Sequence, residues 1–146
     1  MKGRAIGSDW YYRRGDIYLA DLDPVVGSEQ GGIRPVVVVQ NNRGNYHSPT
    51  LIVVSMTTQL KKPDLPVHYL VRENKGLTSP SMMHFESVHT IDKSRIKAYL
   101  GKLTKAQYPK LNVYLINSLG LPKFLIRALY YGRKAFPKHV KDPGTG

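Results

Sequence analysis

Apolar residues fall in short runs along the chain, separated by polar connections that contain glycine and proline. Asp16–Asp21 (DIYLAD) has a strand-like apolar bias between Gly15 and Pro24. Residues 34–41 (RPVVVVQN) and Thr50–Thr57 (TLIVVSMT) are rich in β-branched side chains, which predicts strands covered on both faces. Further short strands are expected at residues 67–71, 82–86 and 88–91. Residues 23–32 (DPVVGSEQGG) and 42–49 (NRGNYHSP) read as loops. The first is long for a hairpin connection, and loops of that kind in small domains are often functional or mobile. Successive short strands with polar turns predict a mainly β, antiparallel barrel rather than a parallel α/β sheet.

The helical signal comes late. Thr104-Lys105-Ala106-Gln107 has the spacing of a capping box, with Leu103 and Tyr108 placed as a hydrophobic staple. Tyr108, Leu111, Leu115 and Leu119 share one helical face, with Lys110 and Asn117 pointing away, and Gly120 suits the position that ends the helix. A second helix is expected from Pro122 through Tyr131, stopped by Gly132. Residues 1–12 read as a loose leader and 133–146 as a basic, mobile tail.

Composition narrows the class. With 146 residues the chain suits one ordinary domain, and without cysteine it has neither disulfides nor thiolate metal sites. Lys and Arg outnumber Asp and Glu 22 to 10, a net charge of +12, which points to an anionic partner. Nucleic acid comes first, before an anionic membrane surface or an acidic protein. The longest apolar runs are strand-sized, far short of the ~20 residues that span a bilayer, and the first ten residues lack the apolar core of a signal peptide. A cytoplasmic protein with no membrane partner is expected.

The five histidines, His47, His68, His84, His89 and His139, have no metal-binding spacing and read as ordinary strand or loop residues, so no cofactor and no metal are expected. There is neither a phosphate-binding Walker loop nor a Gly-x-Ser-x-Gly elbow. What remains is the polar block Gly27-Ser28-Glu29-Gln30-Gly31-Gly32-Ile33-Arg34-Pro35, which leads from a loop into a buried strand. Pro35 restricts Arg34 to an extended backbone, so the block offers either a rigid phosphate clamp or a surface arginine near a loop glutamate. Thr57-Thr58-Gln59 ends another buried strand and alone reads as the start of a turn.

These residues strongly resemble the MazF/PemK toxin family. The resemblance rests on Arg14-Gly15-Asp16-Ile17-Tyr18, Ala20-Asp21-Leu22 and the run from Pro24 to Val36. It continues at Gln40-Asn41, Gly44-Asn45, Ser48-Pro49-Thr50, Thr57-Thr58-Gln59, Leu65-Pro66, His68, Glu86, Thr90-Ile91-Asp92-Lys93 and Ser118-Leu119-Gly120-Leu121. It implies an SH3-like antiparallel barrel with a C-terminal helix, shared with gyrase-poisoning toxins. It also implies a sequence-specific, metal-independent endoribonuclease that cuts single-stranded mRNA, forms a homodimer and is neutralised by a cognate MazE-like antitoxin. The family's catalytic arginine matches Arg34, its strand-end threonine Thr57, and a loop glutamate important in some members Glu29.

The chemistry of RNA self-cleavage accommodates these residues. The 2′-OH is the nucleophile, so no covalent residue is needed and DNA is no substrate. Arg34 would hold the charge on the phosphorane and Thr57 would position the 2′-OH or phosphate. Glu29 is either the general base or a base-reading or loop-ordering residue. The products would be a 2′,3′-cyclic phosphate (or 3′-phosphate) and a 5′-OH. Gln40, Asn41, Asn42 and Gln59 offer amide edges for base reading, Tyr46 a stacking face, and Arg43, Lys61 and Lys62 backbone electrostatics; turn and strand-end roles account for the same residues. His89 stands where relatives often carry arginine, and Pro80 interrupts a stretch where they tend to be charged; both departures bear on cutting specificity. The toxin domain spans residues 1–121, and 122–146 form a basic extension, helix then tail. The alternative is a non-enzymatic toxin that binds a protein such as gyrase, and a third reading is an inactive nucleic-acid binder.

Overall fold

The computed structural model describes residues 3–131. Six strands form one antiparallel sheet: β1 (Asp16–Asp21), β2 (Ile33–Val38), β3 (Thr50–Thr57), β4 (His68–Val71), β5 (Ser81–Asp92) and β6 (Ile96–Lys102), in the order β4-β5-β3-β2-β1-β6. The end strands β4 and β6 do not pair with each other, so the expected barrel is an open, mainly β sheet. Three helices accompany it: α1 (Asn42–His47), α2 (Lys110–Leu119) and α3 (Phe124–Tyr131).

The β-branched runs are buried on both faces, as their continuity predicts, except at Ile52, which is exposed. Tyr18, Ala20, Val36, Val38, Leu51 and Val53 pack on one side of the sheet, and Ile17, Val37, Val54, Met56, Met83 and Phe85 on the other, with Leu111 of α2. Alternation along each strand produces this division. Each fully buried Val, Ile or Leu contributes about 1.5–3 kcal/mol relative to an exposed one.

Several expectations are corrected. The leader is not loose over its described residues. Ile6 and Trp10 pack against the first cluster, Tyr12 is buried in it, and Arg4 exchanges both backbone hydrogen bonds with Tyr99 at 2.8 Å. A charged network fixes this segment: Trp10 Nε1 donates to the Tyr18 hydroxyl (2.8 Å), which donates to Asp16 Oδ2 (2.6 Å). Burial pushes the Asp16 carboxyl and the Tyr18 hydroxyl above their ordinary ranges. The connection expected as a loop at 42–49 contains α1, started by Asn41, whose Oδ1 accepts from Gly44 N at 2.8 Å. The strands expected at 82–86 and 88–91 are one strand, β5, with a bulge between them. One residue of β3, Ser55, lies between the pairs Val54↔Val88 and Met56↔Met83, against four residues of β5, 84–87.

The capping box forms as expected: Thr104 N donates to Gln107 Oε1 (3.0 Å) and Gln107 N to Thr104 Oγ1 (3.2 Å). However, Pro109 lacks the N–H that would continue the helix, and α2 begins only at Lys110. Its buried residues are Leu111 and Ile116, while Leu119 is exposed, so the buried face is rotated from the expected one. Gly120 ends α2 in the left-handed conformation, φ 67°. The proposed stop at Gly132 and the tail at 133–146 lie outside the described residues.

Candidate active site

Arg34 stands at the start of β2 and Thr57 at the end of β3. The two strands are antiparallel with Val36 opposite Ser55, and the same register two residues back sets Arg34 opposite Thr57 on one face of the sheet. Both line a cleft of about 280 Å³, with Ile33, Pro35, Met56, Thr58, Gln59 and Ser81.

The Arg34 guanidinium is fixed at one nitrogen and free at the others. Its Nε donates to the Gly31 carbonyl at 2.9 Å. No carboxylate among the described residues pairs with it, so the four N–H groups of its two terminal nitrogens remain for a ligand. Thr57 is half-buried, and its Oγ1 accepts from Gln59 N at 3.1 Å, which turns the chain away from the sheet and leaves the hydroxyl hydrogen to donate elsewhere. A charged fork beside a hydroxyl, in a cleft the size of a small phosphate ester, is an oxyanion-binding arrangement.

The remaining predicted site residues divide into two groups. Gln59 lines the cleft, and Lys61 and Lys62 are exposed on the segment that follows it. Residues 40–46 lie at the other end of β2 and β3, some eight residues along the strands from Arg34, roughly 25 Å at 3.3 Å per residue. Three of these have structural roles instead of the expected base reading. Gln40 is buried, and its Nε2 donates to Asn45 Oδ1 and to the Thr50 carbonyl, both at 3.1 Å. Asn41 caps α1. Asn42 Oδ1 accepts from Arg14 N (2.7 Å) and Asn45 Nδ2 (3.3 Å). Arg43 and Tyr46 are exposed, with Tyr46 stacked obliquely on Tyr11 at 5.7 Å, remote from the cleft. Glu29 is exposed in the loop and does not line the cleft; its electrostatic neighbour is His89, whose burial-lowered pKa it opposes. The structure therefore does not place Glu29 among the residues that line the cleft of Arg34 and Thr57.

A cluster that sequence reasoning passed over lies beside the cleft on the same sheet face. His68 and His84 are cross-strand partners and stack at 4.4 Å. His68 Nε2 contacts Glu86 Oε1 at 2.7 Å, and its Nδ1 faces the Lys62 carbonyl at 2.9 Å. Both partners are hydrogen-bond acceptors. Burial lowers the His84 pKa most, His68 adds to the lowering, Glu86 opposes it and Arg34 lowers it further. Donor atoms of His68, His84 and Glu86 lie within 4.8 Å of one another. The imidazole planes, however, are only 13° apart. Stacked rings cannot both direct an in-plane lone pair at one ion, so the cluster is a hydrogen-bond network, not a metal centre.

Residues 13–119 match the family described as PemK-like, MazF-like toxin of type II toxin-antitoxin system. The chain belongs to that family. An endoribonuclease MazF of Staphylococcus saprophyticus is 46% identical to it over 110 residues, which cover 75% of this chain and 92% of that protein. Among solved structures, an endoribonuclease from a mycobacterial species, in complex with its cognate antitoxin, superposes with a TM-score of 0.61 at 28% identity, covering 77% of this chain and 96% of that one. MazF from Deinococcus radiodurans shares the fold with a TM-score of 0.66 at 20% identity, over 77% and 99% of the two chains. The matched span contains the whole antiparallel sheet and α2. Among the described residues no helix is long and apolar enough to cross a membrane.

Proposed function

We propose that this MazF-like chain is an endoribonuclease toxin that cleaves single-stranded RNA at a short sequence without a metal ion. The observation that carries the reading is the juxtaposition of Arg34, with two uncommitted guanidinium nitrogens, and the Thr57 hydroxyl in one cleft. The 46% identity to an endoribonuclease MazF supports it.

In this mechanism the ribose 2′-OH attacks the adjacent phosphorus, and negative charge builds on the non-bridging oxygens. The Arg34 fork binds those oxygens and strengthens its hold as the charge grows. Thr57 donates its hydroxyl hydrogen to the phosphate or orients the 2′-OH. Guanidinium keeps its protons, so Arg34 is not the base. Glu29 stays with the loop and serves RNA placement. The 2′-OH proton passes to solvent as the new O–P bond forms, the bond to the 5′-oxygen breaks and that oxygen takes a proton from solvent, leaving a 2′,3′-cyclic phosphate and a 5′-OH; DNA lacks the nucleophile. Gln59, Lys61 and Lys62 extend the site along the RNA strand, and the net charge of +12 draws the polyanion in.

The partners follow from the same reading. The mycobacterial relative solved with its cognate antitoxin supports a MazE-like antitoxin for this chain. Exposed Leu65, Leu119 and Leu121 lie on segments joined by the contact of Asn117 Nδ2 with the Pro66 carbonyl (3.1 Å), and this apolar surface supports a homodimer.

The test is to incubate the full chain with a long RNA in EDTA and to map the ends. Cuts at one recurring sequence, with 5′-OH ends, that vanish in Arg34→Ala are expected. Intact RNA together with trapped gyrase–DNA complexes would replace this reading with that of a protein-binding toxin.

A further inference from the structure

Gln30 lies three residues before β2, the strand that carries Ser55's cross-strand partner Val36, and its side chain pins the loop to the sheet. Ser55 Oγ donates to Gln30 Oε1. Gln30 Nε2 lies 3.3 Å from His84 Nδ1. Ser55 is fully buried in β3, and His84 is in β5 at the bulge that faces it. A neutral His84 ring presents either a lone pair or an N–H at Nδ1, according to its tautomer, and the same atom lies 3.4 Å from Glu86 Oε1. Turning the amide over exchanges donor and acceptor at both contacts, so the two anchors hold the side chain in either sense.

The next residue is the one that holds Arg34. The Gly31 carbonyl accepts from Arg34 Nε at 2.9 Å. Gly31 leaves no space for a side chain: a Cβ there would meet Asp23 Oδ1 at 2.5 Å and Val25 Cγ2 at 2.8 Å. Gly32 N donates to the same Asp23 oxygen at 2.9 Å, and Leu22 N donates to the Gly32 carbonyl at 3.0 Å. The loop is thus held at its base by Asp23 and at Gln30 by the sheet, with the arginine-holding carbonyl between them.

We propose that Gln30, clasped between Ser55 and His84, is a positioning residue that sets the Gly31 carbonyl and through it the aim of the Arg34 guanidinium. This rests on the endoribonuclease reading above. Gln30 does not touch the reacting atoms. Without the clasp the loop swings, Arg34 Nε loses a fixed acceptor, and the fork samples orientations that miss the phosphorane. Binding of the RNA chain, which depends on charge and on residues elsewhere, is spared.

The experiment uses the full chain with Gln30→Ala, Ser55→Ala, His84→Leu, the pairwise combinations with Gln30→Ala, and Ser55→Thr. At saturating RNA, kcat of Gln30→Ala is expected to fall by about tenfold or more, because small misplacements of a catalytic group carry losses of that order. KM is expected to stay within about twofold. Ser55→Ala and His84→Leu should each lower kcat, yet add nothing further in the Gln30→Ala background, since all three act through one side chain. Ser55→Thr, which keeps the hydroxyl, should recover the rate. Amide hydrogen exchange at Gly31, Gly32 and Ile33 should quicken in Gln30→Ala while the thermal midpoint holds.

Wild-type rates in Gln30→Ala, losses that multiply in the double variants, or unchanged exchange at 31–33 would overturn the proposal. If Ser55→Ala does not fold, His84→Leu and the exchange measurement decide it. RNA left intact by the wild-type chain would sink the endoribonuclease reading instead, and the exchange measurement would still test the clasp.

Discussion

Replacing Arg34 by lysine keeps the charge and removes the fork. Arginine carries five N–H donors in a fixed plane, and here one is committed to the Gly31 carbonyl at 2.9 Å, leaving four on two adjacent nitrogens. A lysine ammonium has three donors on a flexible stem. If it satisfies Gly31, two remain without the paired geometry that matches two phosphoryl oxygens; if it turns to the phosphate, the Gly31 carbonyl loses its partner. Either way at least one transition-state hydrogen bond is lost. Removing one such donor lowers kcat by about 10²–10³-fold, or roughly 2.7–4 kcal/mol of transition-state stabilisation. Ground-state attraction for the phosphate depends mainly on the charge, so KM should change by no more than about threefold. The assay is single-turnover cleavage, in EDTA, of an oligonucleotide with one ribonucleotide at the mapped cut, compared across wild type, Arg34→Lys and Arg34→Ala. A lysine variant within about threefold of the wild-type kcat would refute bidentate charge stabilisation as the source of the rate.

Two predictions concern stability. Tyr18→Phe removes the hydroxyl that joins Trp10 Nε1 to the buried Asp16 carboxyl, and one charged and one neutral hydrogen bond together come to about 2–4 kcal/mol; a urea midpoint unchanged from wild type would contradict this. His84 and His89 are both held below the ordinary imidazole range, chiefly by burial. The unfolded chain therefore takes up protons near pH 6.5 that the folded chain refuses, so their stabilisation is present above about pH 6.5 and declines as the pH falls below it. Urea titrations at stepped pH should show that decline, and it should be shallower in His89→Gln; a variant with the wild-type slope would remove His89 from the explanation.

The strands were the most legible part of the chain. The bounds of β1 and β3 coincide with the apolar runs, because runs of β-branched residues buried on both faces leave little alternative. β6 escaped notice because Lys97 and Lys102 interrupt its apolar positions and its pairing is to β1, the strand farthest from it in sequence. α1 is six residues long, too short for any periodicity, and owes its start to the Asn41 cap. At the site, family resemblance pointed to Arg34 and Thr57, and the β2–β3 register explains why residues 23 apart in sequence share a cleft. The contacts of Gln30 with Ser55 and His84 span 25 and 54 residues and depend on the β5 bulge, so no local pattern announces them. Gln40 looked available for base reading because its burial follows from the packing of α1 against β3, which the sequence pattern does not show.

The docking of the N-terminal segment matters for anyone who shortens the chain. Arg4 occupies backbone hydrogen-bonding positions on the outer rim of β6, and its guanidinium lies 5.3 Å over the rings of both Trp10 and Tyr99. A version trimmed to the 13–119 span shared with relatives would leave that rim bare and strip the aromatic lid from Tyr99. An uncovered rim of this kind recruits other strands, so the trimmed protein would tend toward edge-to-edge self-association while its cleft stayed intact.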